Sequence, residues 1–281
     1  MVQGKVSYAG QAIALFALLL SPMLAVAPPA FAVIRHSHMR PGLVGPKTYY
    51  LALGDSLAYG FQPDFDWTNG YANYFADNLQ NYGVKMYVNL ACPGETTITM
   101  IKGGCPYSLL HKYVYAGPQL AAAVTFLRQH TGQVSPVTLD IGANDLLPDL
   151  NTANCLAGPH WARDLATEDY NLKHIILPRL IVALTVDGHV SGDLLLMNYY
   201  DPFQNNCPNT MRYIREFNWH LAADARGLAT IVNVFTPFSG SAPINPHLCN
   251  YTWICSVLSD IHAKDAGYEL IANAFERTTG Y

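Results

Sequence analysis

Residues 49–57 are YYLALGDSL, an apolar run of five residues that leads directly into Gly54-Asp55-Ser56-Leu57. The apolar run has the composition of a buried β-strand. The residues after it are typical of a turn between a strand and a helix. At such a turn, backbone N–H groups of the following helix point toward the serine. Taken alone the four residues also fit an ordinary turn, but they make Ser56 a candidate nucleophile at a strand end.

The same alternation of strand and helix patterns continues along the chain. Short runs rich in β-forming residues predict strands at 49–53, 85–90, 137–141, 194–199 and 230–235. Longer segments with helical periodicity predict helices at 71–82, 118–130, 167–186, 209–226 and 266–277. This order favours a parallel sheet covered on both faces. Ligands of such sheets bind outside the carboxyl ends of the strands.

Three further segments are predicted at that edge of the sheet. Gly94 follows the second strand, and Asn144 follows the third. A glycine N–H and an asparagine amide can both donate to a developing oxyanion. His262, with Asp260 close by, precedes the last helix, and a histidine oriented by a carboxylate can act as a general base. Individually these residues fit a turn glycine, a helix cap and a surface pair. Together with Ser56 they indicate a catalytic site.

Four segments in this order resemble the GDSL or SGNH hydrolase family, and the resemblance extends over residues 49–281. They are GDSLAYG (54–60), NLACPGETT (89–97), GANDLL (142–147) and DIHAKDAGY (260–268). The resemblance implies an α/β fold of three layers, α/β/α, flavodoxin-like, with a central parallel sheet of five strands. It also implies ester hydrolysis.

The resemblance assigns roles to individual residues. It implies that Ser56 is the nucleophile and that its N–H is the first oxyanion donor. The N–H of Gly94 and the side chain of Asn144 would be the other two donors, and His262 would be the base. The arrangement of the cysteines is also similar to that of secreted bacterial members.

The chain departs from the family pattern beside the histidine. The family usually has an aspartate three residues before it, where this chain has Ser259, and the acid is instead Asp260. We predict that Asp260 orients His262. The backbone carbonyl of Ser259 is an alternative, because some members use a carbonyl here, and Asp265 is a third candidate. The proline that usually follows the histidine is replaced by Ala263.

These observations predict a secreted carboxylesterase or lipase that works through an acyl-enzyme on serine. A carbohydrate O-deacetylase of the same fold is the alternative, followed by a non-catalytic binding module, which would be expected to lack Ser56 or His262. The expected substrate is a small-molecule, lipid or carbohydrate ester. We expect no metal and no organic cofactor, because the sequence has no Walker loop or dinucleotide fingerprint. It also lacks the Gly-x-Ser-x-Gly elbow of α/β-hydrolases.

Aromatic residues and one loop are candidates for the substrate wall. The four tryptophans could line an acyl pocket or form a sugar platform, although most aromatic side chains fill cores. They are Trp67, Trp161, Trp219 and Trp253. The loop at 239–259 leads into His262, and we expect it to form part of the wall.

The composition excludes several classes of protein. Hydrophobic residues make up 51% and charged residues 13% of the 281 residues, which is too apolar for a disordered chain. The 16 basic and 20 acidic residues give a net charge of −4 and form no basic cluster. A nucleic-acid partner is therefore not expected.

The first 32 residues have the layout of a secretory signal peptide. A short basic region with Lys5 precedes the apolar run 13–20, and Ala30-Phe31-Ala32 provides a small-x-small cleavage site. The run is too short to span a bilayer, so we expect cleavage near Ala32 and no transmembrane segment in the secreted protein. Residues 33–46 are predicted to form a linker or loose arm, and 47–281 one hydrolase domain.

The six cysteines predict disulfides, because an even number in an exported chain is typical of them. The sequence cannot select among the possible pairings by itself. Pairing in sequence order is favoured, since the first and last pairs then close short loops. The pairs would be Cys92–Cys105, Cys155–Cys207 and Cys249–Cys255. A zinc site is disfavoured because CxxC and HExxH spacings are missing.

Overall fold

The computed structural model describes residues 40, 42–239 and 244–281, and for residue 239 only the backbone. The predicted signal peptide at 1–32 lies outside the described residues, as do residues 33–39 and 41 of the predicted arm.

A parallel sheet of five strands forms the centre of the fold. Its strands are β1 (Tyr49–Gly54), β2 (Met86–Asn89), β3 (Val134–Asp140), β4 (Leu194–Met197) and β5 (Thr230–Val232), in the order β2-β1-β3-β4-β5. All neighbouring strands are parallel. The three central strands are almost entirely buried, as expected for a sheet covered on both faces. The predicted fold class is therefore confirmed.

Helices cover both faces of this sheet. They are α1 (Ser56–Tyr59), α2 (Tyr71–Gln80), α3 (Thr97–Lys102), α4 (Gln119–Gln129), α5 (Ala143–Leu146), α6 (Trp161–Asn171), α7 (Leu177–Leu184), α8 (Thr210–Asp224), α9 (Phe235–Ser239), α10 (Leu248–Tyr251) and α11 (Asp265–Thr279). Helix α2 packs against α11, and α4 packs against α7. Because crossovers between parallel strands are almost always right-handed, this strand order places the α2–α11 pair and the α4–α7 pair on opposite faces of the sheet. Within the described ranges, no helix combines the length and apolarity needed to cross a bilayer.

Shorter elements connect these helices and strands. Single 3₁₀ turns lie at Ser108–Leu110, Leu147–Asp149 and Trp253–Cys255. Two small antiparallel hairpins pair Leu150–Asn151 with Leu156–Ala157 and Thr185–Val186 with His189–Val190.

Strand β3 begins three residues earlier than predicted. Between Tyr49 and Leu51 the pairing of β1 with β3 shifts by one residue, at the level of Ser135-Pro136. Proline has no N–H to donate to a sheet, and a bulge is one of the few places where a strand accepts it. Pro136 is the reason why the sequence predicted a strand only after it.

The predicted helix at 167–186 starts at Trp161 and is interrupted in the middle. Helix α6 passes through a π-helical turn, Leu172–Ile176, before α7 begins. In a regular α-helix the ring of Pro178 would clash with the carbonyl four residues earlier. The wider π turn provides room for the ring.

The strand order reverses direction between β1 and β3, and this switch point is where sheets of this type bind ligands. Gly54 ends β1 at this point with φ +133°. A Cβ on Gly54 would lie 2.1 Å from the backbone oxygen of Asp140 on β3. Only glycine permits this close approach of the two strand ends.

Gln119 on α4 connects this strand end to the turn that follows β2. Its Oε1 accepts a hydrogen bond from Gly54 N at 2.7 Å. Its Nε2 donates to Gly54 O and to Glu95 Oε2, both at 2.9 Å. Glu95 is buried, and burial raises its pKa to about 7.

We expect Gly54→Ala to lower the free energy of unfolding by at least about 3 kcal/mol, because it adds a backbone clash to conformational strain. The matched control is Gly83→Ala. Gly83 also has a left-handed conformation (φ +94°), but a Cβ there meets no atom within 4 Å. It should cost only about 1–2 kcal/mol. Urea unfolding measures both values, and equal losses would contradict the clash.

The stability of the protein should depend on pH through the buried carboxyl of Glu95. The folded-state pKa of Glu95, about 7, lies above its ordinary value of 4.5. The preferential protonation of Glu95 in the folded state therefore stabilises the protein fully below pH 4.5, and this stabilisation is lost as the pH rises through about 7. Glu95→Gln abolishes this titration, so its stability relative to wild type should rise across that window by up to about 3 kcal/mol.

Urea unfolding between pH 4.5 and 8 tests this expectation. Glu269→Gln, at an exposed position on α11, is the control and should keep the wild-type profile. A Glu95→Gln profile parallel to that of wild type would refute the assignment.

Candidate active site

Ser56 is the first residue of α1 and is almost completely buried at the end of β1. Asp55 caps this helix, because its Oδ1 accepts a hydrogen bond from Leu57 N at 2.9 Å. The other oxygen of Asp55 accepts from the Tyr199 hydroxyl at 2.8 Å. The turn that presents Ser56 is thus held by this helix cap and by Tyr199, which follows β4.

A chain of hydrogen bonds joins Ser56 to His262 and Asp260. The Nε2 atom of His262 lies 2.8 Å from Ser56 Oγ, and Nδ1 lies 2.7 Å from Asp260 Oδ1. In the tautomer with the proton on Nδ1, the imidazole donates to Asp260, and Nε2 is free to accept the serine proton. This arrangement can activate a serine hydroxyl.

Asp260 reaches the imidazole by a tight local turn. The same Oδ1 accepts a hydrogen bond from the backbone N of His262 at 2.8 Å, as in an Asx turn. Partial burial acts to raise the pKa of Asp260, but the hydrogen bonds and charge of His262 outweigh it and lower the pKa. Asp265 instead accepts from Gln62 Nε2 at 2.7 Å. Within the described part of the chain, neither Asp265 nor the Ser259 carbonyl is hydrogen-bonded to the imidazole.

The backbone around His262 is fastened by the preceding loop. Trp253 N donates to His262 O at 3.0 Å, and Thr252 forms a β-bridge with Ala263. The disulfide Cys249–Cys255 closes this part of the loop. We expected the loop 239–259 to form part of the substrate wall. Its described residues do not line the cavity at Ser56, and they instead position His262.

Gly94 and Asn144 belong to two turns that are connected by a hydrogen bond. Pro93 and Gly94 occupy the centre of a turn closed by Glu95 N and Cys92 O at 3.1 Å, with Gly94 at φ +77°. This is the position in a type II turn that favours glycine. The Nδ2 atom of Asn144 donates to Glu95 O at 3.0 Å. Asn144 thus adjoins the turn of Gly94 and lines the same cavity as Ser56.

All six cysteines form disulfides, in the pairs that sequence order had suggested. They are Cys92–Cys105, Cys155–Cys207 and Cys249–Cys255. The first holds the turn of Gly94, where a Cβ would lie 2.7 Å from Pro106 Cγ. One disulfide therefore fastens the turn of Gly94, and another closes the loop that contacts the backbone of His262.

Ser56, Asn144 and His262 line a largely apolar cavity. Its apolar lining includes Leu146, Leu147, Leu150, Trp161, Pro202, Ile214, Phe217 and Ile261. Of the four tryptophans, Trp161 lines this cavity, whereas Trp219 is largely exposed on α8. A wall of this composition suits a hydrocarbon chain.

Sequence reasoning did not identify the buried support beneath Ser56. Asp140, the last residue of β3, accepts from the Tyr71 hydroxyl at 2.6 Å and from Ala58 N at 3.2 Å. Burial raises its pKa well above the usual range, and the nearby charge of Asp55 acts in the same direction. An acidic residue at the end of an apolar strand was the signal that could have revealed it.

Residues 52–270 match the profile of the GDSL-like Lipase/Acylhydrolase family. No curated protein shows significant similarity to the chain. Among solved structures, the lipase Lip_vut3 from a goat rumen metagenome is 18% identical with a TM-score of 0.58, covering 82% of this chain and 96% of that one.

Two further structures share the fold. An extracellular lipase from Streptomyces rimosus is 15% identical with a TM-score of 0.51, over 83% of this chain and 100% of that one. Axe2, an acetylxylan esterase from Geobacillus stearothermophilus, is 16% identical with a TM-score of 0.53, over 85% and 96%. At these identities the structures show a common fold. The family match extends over most of the chain, and the protein therefore belongs to the GDSL-like lipase/acylhydrolase family, the members of which hydrolyse ester bonds.

Proposed function

We propose that the protein is an exported serine carboxylesterase or lipase that hydrolyses esters of aliphatic acids. The observation that carries this proposal is the hydrogen-bonded chain of Ser56, His262 and Asp260, which opens on an apolar cavity. The chain of residues supplies a nucleophile with its base, and the cavity supplies a binding site for the acyl group.

The reaction proceeds in two steps. His262 Nε2 takes the proton of Ser56 as Oγ attacks the ester carbonyl, and it then returns the proton to the departing alcohol. This leaves the acyl group on Ser56. Water attacks the acyl-enzyme with the same base and releases the acid. Asp260 holds the imidazole in the required tautomer and stabilises the imidazolium that forms in each step.

The proposed donors to the tetrahedral oxyanion are the backbone N–H groups of Ser56 and Gly94 and the side-chain amide of Asn144. The contact of Asn144 with Glu95 O supports this assignment, because it holds the amide beside the Gly94 turn. Each such donor typically contributes roughly 3 kcal/mol to transition-state stabilisation.

The cavity favours an acyl chain over an acetyl group on a sugar. Apolar side chains form most of its wall, and these side chains offer few partners for carbohydrate hydroxyls. The apolar lining of the cavity beside Ser56 therefore supports the carboxylesterase or lipase.

We also propose export through a signal peptide cleaved near Ala32. The three disulfides support it, because such bonds persist in oxidising compartments.

A series of p-nitrophenyl esters of increasing acyl length tests the nucleophile and the acyl site together. For wild type, kcat/KM should rise from acetate by about fourfold per added methylene until the cavity is filled. Ser56→Ala should lose about 10³-fold or more at every length. Ser108→Ala changes an exposed serine in a 3₁₀ turn and should match wild type.

Two outcomes would contradict the proposal. Equal rates for Ser56→Ala and wild type would remove the nucleophile and favour a non-catalytic binding module. Activity restricted to acetate would leave the serine mechanism intact and favour the deacetylase.

Asp260→Asn should lower kcat by about 10²- to 10⁴-fold, because an amide cannot hold the imidazole in the required tautomer or stabilise the imidazolium. Asp265→Asn is the matched control and should remain near wild type, since Asp265 contacts Gln62 instead. Steady-state kinetics with one soluble ester measures both. An unchanged rate for Asp260→Asn would transfer the orienting role to a backbone carbonyl.

A further inference from the structure

Three acidic side chains meet between α6 and α8, and none of them lines the cavity at Ser56. Glu168 and Asp169 lie on α6, and Asp224 lies at the end of α8. One carboxylate oxygen from each lies within 4.8 Å of the other two. Glu168 is fully buried, Asp224 is nearly so, and Asp169 lies at the rim.

Most of the oxygens in this cluster have no hydrogen-bond donor within the part of the chain that the structure describes. Both oxygens of Glu168, Oδ1 of Asp169 and Oδ2 of Asp224 lack one. The remaining oxygens are engaged on the outside of the cluster. His220 Nδ1 lies 2.8 Å from Asp169 Oδ2, and Lys173 Nζ lies 3.5 Å from Asp224 Oδ1.

The charges of this cluster are not balanced by these neighbours. Lys173 is half exposed and stands beside only one of the three carboxylates. Burial of several carboxylates without donors or counter-charges is costly. Glu168 is the strongest indication, because a fully buried carboxyl with two oxygens lacking donors points toward a missing partner.

We propose that Glu168, Asp169 and Asp224 form a binding site for a divalent cation, with Ca²⁺ as the best match. Calcium takes about six to eight oxygen ligands at about 2.3–2.6 Å and tolerates irregular geometry. Ligand oxygens on opposite sides of such an ion lie about 5 Å apart, which accommodates the 4.8 Å spread of the cluster. Water at the rim beside Asp169 would complete the coordination. Mg²⁺ requires a tighter octahedron and suits the site less well.

The site would join α6 to α8 behind one side of the active site. Glu168 packs against Gly142, where a Cβ would lie 2.9 Å from Glu168 Oε1. Gly142 precedes α5, which carries Asn144. A bound cation would thus stabilise the fold and the support of this turn, and it would take no part in the reaction of the ester.

Calcium titration of the full protein tests the site independently of ester hydrolysis. After treatment with EDTA and dialysis, wild type should bind about one Ca²⁺ by calorimetry, with a Kd of about 10⁻⁴–10⁻³ M if it resembles other extracellular sites. Its Tm should rise by roughly 5–10 °C at about a hundredfold excess over Kd. MgCl₂ should produce a smaller shift.

The variants Glu168→Gln and Asp224→Asn should each lose most of the calcium-dependent shift. A cooperative thermal transition in EDTA will show that each variant folds, and the presence of two variants guards against the failure of one. Asp77→Asn, at an exposed aspartate on α2, is the control and should keep the wild-type shift.

Three results would overturn the proposal. Wild type could show no heat of binding and no change in Tm with CaCl₂. The shift could persist unchanged in Glu168→Gln and Asp224→Asn, which would place the ion elsewhere. Finally, stability could depend on pH but not on calcium, which would indicate a proton shared between Glu168 and Asp169.

Discussion

The close contact of Gly54 with Asp140, where β1 and β3 end side by side, is the constraint on which the site depends. With no side chain on Gly54, the Asp140 carboxyl reaches past the strand end and accepts from Ala58 N in the helix that begins at Ser56. The turn that presents the serine is therefore built onto the neighbouring strand. The same strand continues into α5, so Asn144 emerges at the same edge.

The two halves of the site are held by different means. Ser56 rests on the buried carboxyls of Asp140 and Asp55, which accept hydrogen bonds from Tyr71 and Tyr199 at the ends of the central strands. His262 lies on a loop, and its position depends on the backbone contact with Trp253 and on a short disulfide. In the proposed mechanism a displacement of about 1 Å can cost a hundredfold in rate, so the fastening of that loop would matter as much as the sheet edge.

Much of the fold was predictable because its signals are local. Short runs of β-forming residues located the five strands, and the residues that follow these strands indicated a site at one edge of the sheet. Two of the errors occurred where a proline was accommodated by a longer-range adjustment. Pro136 lies in a bulge of β3, and Pro178 follows a π turn. Neither accommodation leaves a signature in the sequence around the proline.

The sequence by itself determined the fold class, the candidate residues Ser56 and His262, and the turns that carry Gly94 and Asn144. These follow from local propensity and from the rule that parallel strands bring their carboxyl ends together. Only the tertiary structure decided that Asp260, and neither Ser259 nor Asp265, meets the imidazole. It also decided that the cavity is apolar and that Glu168 approaches Asp224. Such contacts join residues far apart in the chain or depend on the exact direction of a side chain, and both are set by packing.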